Sequence, residues 1–116
     1  GTTTTVYATT NEVTNASGSA YVAGGKALVN TGVTTSTVTS HTDFSDLSVA
    51  NGTAWTSASF TTRGCLIYNT TAVSGFTTNR AVCSIDFGGD KTVSNGTFSI
   101  EFPTNSSSAA IIRLTS

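Results

Sequence analysis

The chain has 116 residues, a formal net charge of -1 and 9% charged residues, against about 25% in an ordinary soluble domain. That length suits one domain, able to bury a core without metal or a disulfide framework. A charge so near zero removes the electrostatic case for nucleic acid or an anionic membrane surface, and no apolar run approaches the ~20 residues of a membrane-spanning helix.

Ser and Thr stand where charged residues usually do, so the surface is neutral, hydrogen-bonding and prone to β-structure. Disorder goes with high net charge and low hydrophobicity, and this chain has neither. A surface with so little solubilising charge suits a chain that is largely covered in an assembly.

Residues 1–10, opening on Gly-Thr-Thr-Thr-Thr, read as an extended arm, and residues 11–116 as a single β-domain. The first residue is Gly and no signal peptide is visible, so the chain reads as processed or incomplete at its start. Asn11 to Ser19 is polar and reads as a loop. Ala20 to Ala23 is a strand candidate stopped by Gly24-Gly25. Lys26–Val29 and Val33–Thr39 have strand composition, with Asn30-Thr31-Gly32 as the turn between them. His41 to Leu47 reads as a loop in which Phe44 and Leu47 could share one helical turn. Asn51-Gly52 is a turn signal, and Trp55 to Phe60 alternates poorly.

The stretch from Arg63 to Phe102 carries the clearest pattern. Ala81, Cys83, Ile85 and Phe87 alternate with Val82, Ser84 and Asp86, as do Phe98, Ile100 and Phe102 with Thr97, Ser99 and Glu101, which is the period of a strand with one buried face. Gly88-Gly89-Asp90 and Asn95-Gly96 tolerate positive φ and suit tight reversals. This predicts a three-stranded antiparallel meander. Pro103 ends its last strand, and Ile111-Ile112-Arg113-Leu114 forms a final strand. No amphipathic helix of ten residues occurs. The fold class is all-β, an antiparallel β-sandwich or jelly-roll-like barrel with a C-terminal β-meander.

Catalytic chemistry is thinly represented. His41, Asp43 and Asp46 form the one acid–base cluster, without a nucleophile motif beside it, so a solvated loop is the simpler reading. Asp86 with Asp90 lacks the spacing of a calcium loop, and two cysteines without a CxxC spacing do not make a zinc site. No catalytic residue, metal or cofactor is expected. If Tyr68 faces Arg80 across a hairpin, Cys65 falls opposite Cys83, a geometry from which a disulfide can form. The alternative is two small apolar residues on the core face. Five Asn-x-Ser/Thr sequons, at Asn15, Asn51, Asn69, Asn95 and Asn105, read as turn residues in so Ser- and Thr-rich a chain. Arg63 and Arg80 flank strands and could pair with Asp86 or Glu101, or anchor an interface.

Several blocks of this chain resemble, in the same order, a widespread family of small tailed-bacteriophage virion structural proteins. They are Asn11-Glu12-Val13 followed by Ser19 to Leu28, then Thr62 to Tyr68, then Ile85 to Ile100 with its Asp86-Phe87-Gly88-Gly89-Asp90 core, and the Ile-Ile-Arg-Leu-Thr close. The blocks cover most of the chain, and they are structural rather than catalytic. Family members carry small apolar residues where Cys65 and Cys83 stand, so the resemblance does not require a disulfide. They also carry a further strand ahead of the block that starts here near Thr5, which implies an open sheet edge that a partner strand could join.

The resemblance implies a particle component: a capsid decoration (cement) protein bound to the major capsid protein, or else a tail or head–tail joining protein. Self-association, with a trimer as one closed form, and a virion location after assembly in the host cytoplasm go with that reading. The expected partner contacts are Thr3, Thr4, Thr5, Val6 and Tyr7 of the arm, acting as a clamp ordered on binding, with Arg63 and Arg80. A reading from another class is a carbohydrate-binding β-sandwich that exposes Trp55 or Tyr21 to a sugar.

Overall fold

A computed structural model describes residues 5–13 and 20–115. Among the described residues five strands follow one another without a helix: β1 (Asn30–Ser36), β2 (Thr39–Phe44), β3 (Trp55–Asn69), β4 (Arg80–Phe98) and β5 (Ile112–Thr115). They form two antiparallel sheets, one of three strands in the order β1-β2-β5 and one of two, β3-β4. Neither sheet closes into a barrel. No helix among the described residues is long and apolar enough to cross a membrane.

The dominant element is the β3–β4 ribbon, whose strands are 15 and 19 residues long. The expected period-two pattern is present in it. Ala81, Cys83, Ile85 and Phe87 are half-buried while Val82, Ser84 and Asp86 are exposed. The expected meander is not. Gly88-Gly89-Asp90 and Asn95-Gly96 do not reverse the chain, because β4 runs through both. Thr62 pairs with Lys91 and Gly64 with Asp86, so residues 87–90 bulge out opposite Arg63 alone. Asp86 Oδ1 accepts the Gly88 N–H at 2.8 Å, which is local turn chemistry used to make a bulge. Asn95, at φ 45°, makes a second bulge, and its N–H is held by Ser59 Oγ at 2.8 Å. Phe98, Ile100 and Phe102 keep one apolar face after β4 ends, and Ile100 exchanges two backbone hydrogen bonds with Leu47 at 2.9 Å.

The core lies at one end of this ribbon. Leu47, Trp55 and Ala58 are buried, with Tyr21, Leu28, Phe60, Val93, Phe98, Ile100 and Phe102 packed around them. Trp55 and Phe60 meet Phe98 edge-on, with ring centroids 5.9 and 5.0 Å away. No residue of β1, β2 or β5 belongs to that cluster. Ala20 to Val29, read as strand segments, contains no strand and instead wraps over the ribbon.

The three-stranded sheet departs further from expectation. Asn30-Thr31-Gly32 lies inside β1, where the register shifts between Asn30 and Val33. The β1–β2 reversal falls at Thr37-Val38, with Thr37 at φ 50°. His41 to Phe44, read as loop, is strand because β2 is paired on both sides, with β1 and β5. The C-terminal strand lies within one residue of its expected place.

At one point the ribbon's backbones approach too closely for any side chain. A Cβ on Gly64 would collide with the Ile85 carbonyl oxygen, whereas a Cβ on Gly89 would meet nothing within 4 Å. Gly64→Ala is therefore expected to lower stability by about 2 kcal/mol or more, and Gly89→Ala to lie within about 0.5 kcal/mol of wild type. Phe98→Ala, which opens the aromatic cluster, should cost about 3 kcal/mol. Urea unfolding followed by tryptophan fluorescence measures all three.

Candidate assembly surfaces

The N-terminal segment is tied to the ribbon by a hydrogen-bonded node. Glu12 Oε2 accepts the Tyr7 hydroxyl at 2.7 Å. Its Oε1 accepts the Tyr21 hydroxyl and the Gly24 N–H, each at 2.7 Å. Tyr68, on β3, donates to the Gly24 carbonyl at 2.8 Å and stacks on Tyr7 with centroids 4.4 Å apart. Burial works against the Glu12 carboxylate, yet the donors Tyr21, Tyr7 and Gly24 together hold its pKa below the ordinary value. Tyr7 is pushed up to about 12, first by its hydrogen bond to Glu12. Tyr21 is also raised, chiefly by burial. The pattern was not legible in sequence, since Glu12, Tyr21 and Tyr68 are brought together only by the fold.

Of the expected partner contacts, Thr3 and Thr4 lie outside the described residues. Val6 bridges to Arg80, the Thr5 carbonyl accepts the Ala81 N–H at 2.9 Å, and the Tyr7 N–H donates to the Asn79 carbonyl at 2.8 Å. Thr5 to Tyr7 thus form a short third row beside the start of β4, already docked within the chain. Arg63 lies far along the ribbon and pairs with Asp90 at 3.7 Å rather than with Asp86 or Glu101. Both groups are well exposed, so the pair contributes little. Arg80 stacks its guanidinium 5.1 Å from the centre of the Phe76 ring.

The cysteines are not bonded. The expected register placed them opposite each other, but Cys65 pairs with Ile85 and Cys83 with Ile67. Tyr68 faces Ala81 rather than Arg80, and the extra residue Val82 between the Ile67–Cys83 and Tyr68–Ala81 pairs adds a second step; together they leave the thiols diagonal. Burial, reinforced by Cys83, pushes the Cys65 thiol up to about 11, and burial also raises Cys83.

The three members of the acid–base cluster each bond elsewhere, though His41 and Asp43 share the buried face of β2. His41 is buried and shares a 2.8 Å hydrogen bond between its Nδ1 and Asn105 Oδ1, an oxygen that can only accept, so Nδ1 carries the proton. Asp43 is 1% exposed. Its Oδ1 accepts the Phe44 N–H at 2.8 Å, and its Oδ2 has no partner among the described residues. Asp46 turns away to accept the Phe102 N–H at 2.7 Å. No group of three metal-ligating side chains occurs among the described residues. Trp55 is 6% exposed, with Lys26 Nζ 5.6 Å from the centre of its ring, so it offers no platform to a sugar.

What the chain does present is open surface. Every residue of β1 is exposed, and β1 and β5 are both sheet edges. Along β4, Thr5 to Tyr7 cover only the first residues of the edge away from β3. Among the described residues only five apolar side chains are buried: Leu47, Trp55, Ala58, Ile67 and Ala110. Val33, Val29, Phe76 and Leu114, by contrast, are each more than 60% exposed. Comparison with protein families, characterised proteins and solved structures returns no match.

Two measurements follow from this geometry. The lowered Glu12 contributes stability that is present above its unfolded pKa and lost as pH falls through its folded one. The raised Tyr7 contributes stability that is complete below 10 and lost as pH climbs toward about 12. A melting-temperature profile should fall at both ends, and Glu12→Gln should flatten the alkaline limb and bring Tyr7 ionisation back toward 10, read from tyrosinate absorbance. Non-reducing mass spectrometry after air exposure should find two free thiols, with slow alkylation in the native state and fast alkylation in urea.

Proposed function

We propose that this chain is a structural protein of a tailed-bacteriophage virion, a decoration protein that binds the outer shell and cements neighbouring major capsid subunits. One observation carries the reading: two sheets have open edges and exposed apolar side chains, while the main core cluster is confined to one end of one of them. Such a chain gains stability by covering its surfaces with a permanent partner. The resemblance of its sequence blocks to virion proteins supplies the partner class. The shortage of charge suits the same role, because charge is depleted at the centre of lasting interfaces.

Cementing here would rest on backbone pairing and buried area. The free edges of β1 and β4 accept strands from neighbouring subunits, and the sandwich or jelly-roll architecture expected from the sequence would be completed by these added strands. Enzymatic work finds no support in His41, Asp43 and Asp46, each of which bonds elsewhere, and sugar binding through Trp55 is closed off by its burial.

The test is to label the C-terminus of this chain in intact particles and image it. Label over the whole shell at many copies, together with an earlier thermal rupture of shells assembled without it, is the expected result. Label confined to one vertex or to the tail would replace decoration with the joining or tail role. Particles free of label would remove the virion reading.

A further inference from the structure

The three-stranded sheet turns its polar face inward. Thr39, His41 and Asp43 are buried, and Asn105 reaches across to His41 from the 104–110 loop. On the other face Val33 and Leu114 are 74% and 75% exposed. A sheet with one covered face normally covers the apolar one. The inversion is explained if the buried polar groups have chemistry to do.

Four residues form a connected set there. The Asn105 carboxamide is held at both ends. Its Oδ1 lies 2.8 Å from His41 Nδ1, the nitrogen that carries the proton, and its Nδ2 donates to Thr31 Oγ1 at 2.9 Å. The Thr31 hydroxyl donates in turn to the Asp43 carbonyl at 3.0 Å. Thr31 sits where the β1 register shifts, between Asn30 and Val33, and a bulge of this kind re-aims a side chain. The bulge is braced: Asn30 Oδ1 accepts the Gly32 N–H at 2.8 Å, and Thr42 Oγ1 donates to the Gly32 carbonyl at 2.9 Å. The loop is braced as well, since Arg113 donates to the Ser108 carbonyl at 2.7 Å and Ala110 is buried. Asp43 completes the set. It is 1% exposed, and its Oδ2 has no partner among the described residues, a costly state for a carboxylate that serves packing alone. A hydroxyl, a carboxamide whose oxygen already meets an N–H, and a buried carboxylate are the parts of an acyl transfer.

We propose that Thr31 and Asn105 join in an intramolecular ester that staples the edge strand β1 to the loop ahead of β5. The amide turns about χ2, a soft torsion, until Cγ faces Thr31 Oγ1. The Oγ1–Cγ bond forms while the His41 Nδ1–H steadies the charge growing on Oδ1. The Cγ–Nδ2 bond then breaks. The hydroxyl proton passes by way of the Asp43 carboxylate to the nitrogen, which leaves as ammonia. Nothing is oxidised or reduced, and no co-reactant enters. Thr31 is exposed, so the ammonia escapes to solvent. The reaction runs once in each chain and turns over no external substrate. The ester ties residues 74 apart in sequence, and a link of that span restricts the unfolded chain. A sheet with so little apolar burial gains most from such a staple. The inference stands apart from the virion reading, because it concerns a bond within the chain.

The experiment is intact-mass spectrometry of the full chain in denaturant. Wild type is expected one ammonia lighter than its sequence. Trypsin cuts after Lys26, Arg63, Lys91 and Arg113, so Thr31 and Asn105 fall in separate peptides. Residues 27–63 should appear joined to residues 92–113, and hydroxylamine should part them. Thr31→Val removes the nucleophile and should restore the full mass and melt at a lower temperature, whereas Thr31→Ser keeps a hydroxyl and should keep the link. His41→Phe should slow linking about a hundredfold; if that variant melts early, the Thr31 pair decides. A wild-type chain of full mass, a link that persists in Thr31→Val, an aspartyl product at position 105 without a link, or an ammonia loss that maps to a succinimide at Asn51-Gly52 or Asn95-Gly96 would each overturn the proposal.

Discussion

The antiparallel pairing of β3 with β4 is the constraint on which the rest of the molecule depends. It places Trp55 opposite Phe98 and Phe60 opposite Val93, which gathers the aromatic cluster at one end. At the other end it places Tyr68 where Tyr7 can stack on it and where Gly24 can accept its hydroxyl. A two-stranded ribbon is marginal by itself in water. It persists here because segments from elsewhere in the chain are fastened along it: the Glu12 node near Tyr68, the Tyr21-to-Leu28 stretch over Trp55, and the Leu47–Ile100 bridge beyond Phe98. These attachments span long sequence separations, so they follow the ribbon rather than nucleate it.

The second sheet is built on a different balance. Its central strand carries Thr39, His41 and Asp43 into the covered face, where each polar group needs a partner to offset lost hydration. The threonine faces Thr115, the histidine is met by Asn105, and Asn105 is itself steadied by donating to Thr31 Oγ1. Asp43 is half satisfied, since its Oδ1 has the Phe44 N–H and its Oδ2 has no partner among the described residues. A polar interior of this kind contributes less to stability than an apolar one, but it binds the 104–110 loop to β2 by directed contacts. The apolar side chains that would ordinarily make the interior are thereby left on the outer face.

Much of the ribbon was legible in sequence, and the errors have a common physical origin. The alternation of Ala81 through Phe87 and of Phe98 through Phe102 reports burial directly, because side chains on a strand point to opposite faces in turn. Glycine and asparagine report something weaker. A tight hairpin and a β-bulge both call for residues that accept positive φ, so Asp86-Phe87-Gly88 and Asn95-Gly96 carry the same local signature whether the chain turns back or only bows out. The choice is made across the ribbon, where Arg63 and Ser59 stand opposite the bulges, and that partner is invisible to a local reading. Likewise, Tyr68 facing Ala81 instead of Arg80, with one further residue inserted at Val82, moves Cys65 and Cys83 from facing to diagonal. β2 was missed for the converse reason. Its inward residues are polar, so the hydrophobic periodicity that marks a strand is absent from it. The Glu12 node was missed because its members are scattered through the chain, and only the fold brings Glu12, Tyr21, Gly24 and Tyr68 together.

The threonine content becomes intelligible in the light of these two sheets. A ribbon and a small sheet with so much open surface need residues that favour extended backbone without requiring burial, and β-branched threonine does this. Its hydroxyl also replaces the charged pair as the cross-strand contact: Thr61 meets Thr92 at 2.8 Å and Thr35 meets Ser40 at 3.1 Å. Hydroxyl contacts of this kind are indifferent to salt, and they leave the strand edges uncharged. Natural edge strands are usually guarded by lysine, proline or a bulge. From Val33 to Ser36, β1 carries none of these, so its free backbone groups remain available for pairing. The same substitution of threonine for charge that lets the sheets exist with little core therefore also leaves their edges open and uncharged, and both traits draw on one compositional choice.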